Sequence, residues 1–134
     1  IRDTGDLLGE FIESDDINSR RAVSVRSRKY QGKFRELILK IYDYKCAITG
    51  GGCHDALEAA HIEAHSIGGS NCLDNGISLR ADIHKLYDRG LVRFIYDNNN
   101  KPLVEIDQVL RNTEYWLLNE KEVRPRINGT HPRF

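Results

Sequence analysis

Residues 57–90, LEAAHIEAHSIGGSNCLDNGISLRADIHKLYDRG, constrain this chain more than any other stretch. They set signals for strand, loop, strand and helix in a fixed order. Residues 57–62 are a short apolar run of strand length, ended by the turn formers of residues 66–71, SIGGSN. Residues 77–79 can pair back as a second short strand. Residues 81–89 read as a helix, because Ile83, Leu86 and Tyr87 recur at the i, i+3, i+4 spacing of one buried face. Asp82 suits the first turn of that helix, and Gly90 stands where a C′ glycine is favoured.

Chemistry-bearing residues punctuate this order. His61 lies near the end of the first strand, Asn75 before the second, and His84 on the helix with Asp88 one turn further on. Residues four apart on a helix lie above one another, so His84 and Asp88 present an imidazole and a carboxylate from one face, away from the apolar stripe.

The stretch resembles the HNH endonucleases, the ββα-metal or His-Me finger nucleases. It is similar to the subgroup common in bacterial restriction enzymes, whose first strand reads LEAAHI and whose helix reads like LRADIHKLYDRGL. Those motifs stand here at residues 57–62 and 79–91, and the likeness is close over about residues 34–94, including the lead-in KFRELILKIYDYKCAITG. It implies that His61 is the general base, that Asn75 orients it and steadies the hairpin loop, and that His84 binds the metal ion, with Asp88 as a second helical ligand. It also implies an α+β fold: a ββα-metal core at about 57–90, flanking helices, and a C-terminal β-hairpin.

In one place the chain departs from the pattern. Many HNH enzymes carry Asp or His immediately before the general base as a metal ligand, and this chain has Ala60. Side chains alternate along a strand, so Glu58 shares the face of Ala60 about 7 Å away, and its longer side chain is the candidate for the first-strand contact to the ion. The resulting metal set is His84, Asp88 and Glu58, one nitrogen and two carboxylates. It suits a single divalent ion, Mg²⁺ ahead of Mn²⁺ or Zn²⁺.

At 134 residues the chain has the length of one domain and buries a modest core without needing disulfides. A composition 40% hydrophobic and 30% charged is that of a soluble globular protein. With no apolar run long enough to span a membrane and no signal-peptide pattern, a cytoplasmic location is expected. The chain begins at Ile1 without methionine, which reads as a fragment of a longer protein with a further domain holding specificity. Three cysteines, Cys46, Cys53 and Cys72, form no CxxC pair. Reduced, partly buried thiols are therefore favoured over a structural zinc site completed by His54 or His65.

The net charge of zero gives no general argument for nucleic acid, but the charges are unevenly placed. Residues 1–16 hold six acids and one base, whereas residues 17–45 hold nine bases and two acids. A local basic segment is the footprint of a phosphate-binding surface, although it also suits a solvated face. Beside the nuclease motif, Arg26, Arg28, Lys29 and Lys33 become candidate DNA contacts, joined by Arg80 and Lys85 from the core motif.

Taken in order, residues 3–14 read as a short amphipathic helix and residues 15–30 as a basic linker or arm, so that 1–30 form a lead-in to a nuclease domain at 31–134. Residues 31–42 read as a helix with Phe34, Leu37, Ile38 and Ile41 inward. Residues 91–96 and 103–106 form a hairpin around an Asn-rich turn. Residues 112–118 begin a last helix, in which Trp116 is a core residue rather than a base-stacking one. The tail from Arg124 reads as loose or docked on a partner.

Two functions follow. The first is a metal-dependent DNA endonuclease domain, the cleavage module of a bacterial restriction or defence protein acting on double-stranded DNA, alone or as a homodimer. The alternative, prompted by Ala60, is a non-catalytic nucleic-acid-binding module on the same scaffold.

Overall fold

The computed structural model describes residues 31–62 and 73–134. The expected N-terminal helix, the basic arm with Arg26, Arg28 and Lys29, and the turn carrying His65 and Cys72 lie outside the described residues.

Helix α1 covers residues 31–41. Its buried side is Phe34, Ile38 and Leu39, continued by Tyr42 just beyond the helix. The expected inward face is therefore rotated: Leu37 remains 37% exposed while Leu39 is fully enclosed. Spacing alone could not separate these two, because both leucines flank the same stripe, and what decides is the side on which the strands pack.

The paired strands are β1 (Leu57–His61) and β2 (Gly76–Arg80), antiparallel, with Leu57 opposite Arg80 and His61 opposite Gly76. β2 is enclosed along almost its whole length, since α1 lies over one side and the next helix over another. Gly76 makes the close approach of α1 feasible. A Cβ there would stand 2.4 Å from Ile38 Cδ1 and 2.8 Å from Phe34 Cζ, so a larger residue would push α1 off the hairpin.

Helix α2 (Ala81–Asp88) follows β2 without a loop, and Ile83 is buried with Leu86 and Tyr87 packed against the core. Its end is a Schellman motif: Leu91 N–H donates to Leu86 O, Gly90 N–H donates to Tyr87 O, and Gly90 takes a φ of 73°. The glycine thus turns the chain directly into β3 (Val92–Tyr96), which pairs antiparallel with β4 (Pro102–Ile106). In the connecting turn Asn100 takes a φ of 65°, and the Asp97 carboxylate accepts from the N–H groups of Asn99 and Lys101. The fold is a mixed α+β arrangement with two small antiparallel sheets.

Two expectations need correction. Residues 112–118 do not form an α-helix; Glu114–Leu118 is a 3₁₀ segment started by the Thr113 hydroxyl, and Trp116 packs partly on the core. The tail is docked on its own chain rather than loose. Arg124 N–H donates to Ala47 O and Ile127 N–H to Ile41 O, and the enclosed Arg126 reaches Asp74 at 3.4 Å.

The Glu114–Leu118 segment is held to α2 by a polar cluster. Arg80 donates to both oxygens of Asp82, at 3.1 and 2.7 Å, and the Tyr115 hydroxyl donates to Asp82 at 2.7 Å. The Arg80 guanidinium, followed by the Tyr115 hydroxyl, holds the Asp82 carboxyl well below the usual carboxylate range. A depressed folded-state pKa contributes stability that is fully present above the unfolded value, about 3.9, and is lost as pH falls through the folded one. Asp82→Asn should therefore flatten the loss of stability below about pH 4. Urea midpoints of both proteins at pH 7 and pH 3 measure it, and equal acid losses would remove Asp82 from the account.

Candidate active site

β1 delivers His61 at its end, half-buried, where its imidazole stacks on the Phe34 ring with centroids 4.6 Å apart and planes 8° from parallel. Because Gly76 stands opposite His61 and has no side chain, the Phe34 ring can occupy that space. The strand ends are tied beyond the ladder: Ile62 N–H donates to Asn75 O at 3.0 Å, which brings Asn75 beside His61 across the hairpin. The Tyr87 hydroxyl donates to Ile62 O at 3.1 Å and so joins α2 to the same strand end. Burial pushes the Tyr87 phenol up, which keeps it a donor.

α2 contributes His84 and Asp88 from one face, as the four-residue spacing requires. His84 Nε2 lies 3.4 Å from Asp88 Oδ2, and His84 Nδ1 lies 2.6 Å from Glu58 Oε1. Glu58, exposed on β1, thus reaches across to the helix. Ala60, on the same strand face, is fully enclosed. Among the described residues no group of three or more His, Cys, Asp or Glu side chains is arranged to hold a metal ion, and Cys46 is buried while Cys53 is exposed.

The donor set nevertheless suits a hard or borderline divalent cation. Ionised Glu58 only accepts, so the proton between it and His84 belongs to Nδ1. In the neutral ring Nε2 is the nitrogen left with a lone pair, 3.4 Å from the Asp88 carboxylate, and one nitrogen with one carboxylate oxygen is a donor pair that a divalent cation takes. His61 and Asp88 also border one cleft of about 380 Å³, lined as well by Phe94 and Phe134. The expected catalytic imidazole and a helical carboxylate therefore open on one space.

Residues 46–95 match the HNH endonuclease family model. That match begins before β1, ends in β3, and contains His61, Asn75, His84, Asp88 and Glu58. Comparisons with curated proteins and with solved structures gave no match.

The basic residues are used unevenly around this HNH segment. Lys33 and Lys85 are exposed. Arg80 is engaged by Asp82, as described above, which leaves it less free for phosphate than its neighbours. Arg35, counted with the basic segment, donates to His54 O and Leu57 O at 2.7 and 2.9 Å and fixes α1 to the start of β1. Sequence reasoning missed Phe34 as the platform for His61 and Tyr87 as the tie to Ile62. Both residues were legible as apolar-face residues only.

Proposed function

We propose that this is a metal-dependent DNA endonuclease domain, the cleavage module of a bacterial restriction or defence protein that works in the cytoplasm. The observation that carries the reading is the shared cleft between His61 and Asp88, within a segment that matches the HNH endonuclease family. Hydrolysis of a phosphodiester needs an activated water and help for the departing 3′-oxygen. His61 takes the proton from water, since an imidazole with an ordinary pKa near 6.5 accepts it at neutral pH. Phe34 stacks on the ring, and Asn75, tied to the strand end, orients it. His84 and Asp88 hold one divalent ion, Mg²⁺ ahead of Mn²⁺ or Zn²⁺. When bound, such an ion stabilises charge on the phosphoryl and leaving oxygens. The products are a 5′-phosphate and a 3′-hydroxyl. Lys33 and Lys85 contact the backbone of double-stranded DNA, as do Arg26, Arg28 and Lys29 of the arm and, in a smaller part, Arg80.

Incubation of supercoiled plasmid with the domain in Mg²⁺, Mn²⁺ and EDTA tests the proposal. Nicked or linear product in metal and none in EDTA is the expected result. DNA binding without cleavage in any metal would select the non-catalytic binding module instead, the reading that the enclosed Ala60 favours.

A further inference from the structure

The two sides of the His84 ring differ in a way that assigns Glu58 a role. Donors that share one ion at about 2.1 Å each, at angles between a right angle and the tetrahedral one, stand about 3.0–3.4 Å apart. The 3.4 Å from Nε2 to Asp88 Oδ2 falls within that span, whereas the 2.6 Å from Nδ1 to Glu58 Oε1 is too short for it. That shorter separation is a hydrogen-bond distance, just below the roughly 2.7–2.9 Å usual for a charge-assisted N–H···O⁻ bond. The His84 side chain is 22% exposed between Glu58 at 48% and Asp88 at 64%. A carboxylate that accepts from the far nitrogen of a ligating histidine fixes both its tautomer and its ring plane.

We infer that Glu58 is a positioning residue that acts on the ion through His84, and that the direct protein donors are His84 Nε2 and Asp88. This rests on the metal-dependent nuclease reading. It replaces the expectation that Glu58 stands in for the first-strand ligand at the Ala60 position. It also explains why a chain with alanine before its general base keeps an acid two residues earlier: the acid lies on the face that meets α2, at the distance from which its side chain reaches Nδ1.

Titration calorimetry with Mn²⁺ on the whole chain, together with ¹⁵N spectra of His84, tests the inference. Glu58→Ala should weaken Mn²⁺ binding about 10- to 100-fold. Glu58→Gln, whose amide oxygen still accepts from Nδ1, should stay within a few-fold of wild type, and His84 should carry its proton on Nδ1 in both wild type and Glu58→Gln. The inference is overturned if Glu58→Gln loses as much affinity as Glu58→Ala, which marks a directly bound carboxylate. It is equally overturned if Glu58→Ala binds as wild type, or if His84 carries its proton on Nε2. Should Glu58→Ala fail to fold, the glutamine variant and the spectra decide alone. Wild-type protein that binds no Mn²⁺ would instead sink the metal-dependent reading itself, a result distinct from any difference between the two variants.

Discussion

His61→Ala is expected to lower the cleavage rate by about 10²- to 10⁴-fold, the usual consequence of losing a general base. The effect should fall on catalysis and not on folding. His61 is only half-buried at a strand end, and the enclosed core around it is built from other residues, among them Ile38, Leu57, Ile77 and Ile83. DNA affinity should stay close to wild type, because the imidazole acts on water and is not among the proposed phosphate contacts. Mn²⁺ affinity should also be retained, since His84 and Asp88 are on α2. Single-turnover cleavage of a plasmid at saturating metal, with urea unfolding of the same preparation, separates these contributions. Near-normal turnover in the variant would remove His61 from the role of base.

Phe34→Ala is expected to have the largest effect on stability, a loss of about 3–5 kcal/mol for emptying a buried aromatic site. Phe34 is 1% exposed and sits where α1 meets the hairpin, filling the space that Gly76 leaves open and touching the His61 ring. Collapse of the neighbours into the gap is limited, because Ile38 already crowds the same glycine. A milder change isolates the second role of the ring. Phe34→Leu keeps most of the volume, so it should cost less than about 1.5 kcal/mol, yet it removes the flat surface on which His61 lies. Urea denaturation should thus rank alanine well below leucine, while both lose cleavage rate. If leucine were as active as wild type, the stacking would be a packing contact without bearing on the base.

Much of the fold was legible because its elements are declared locally. Short strand-like runs and turn formers located β1 and the β3–β4 hairpin to within a residue or so, and the 3.6-residue period with Gly90 at its end located α2. The His84–Asp88 pair followed from spacing alone, since the helix repeat carries it. Leu37 and Leu39 were not separable, because a helix period defines a stripe and only the packing partner defines which edge of the stripe is covered.

What tertiary structure decided are the contacts made between residues far apart in the chain. Glu58 and His84 are 26 residues apart, and the sequence put Glu58 on the right strand face without saying that it meets a ring nitrogen at 2.6 Å. Arg126 and Asp74 are 52 apart, and their contact helps dock on the chain itself a tail read as loose or docked on a partner. Asp82 read only as a first-turn acid until the Tyr115 hydroxyl, 33 residues on, closed on it beside Arg80. The physical reason is common to all three. Hydrophobic period and turn chemistry act over a few residues and are written in the order of side chains, whereas a hydrogen bond or a ring stack depends on two backbones brought within a few ångströms by the packing of everything between them. The sequence by itself therefore determined the elements and the kinds of donor they carry, and the packing of α1 and α2 on the hairpin determined which of those donors meet.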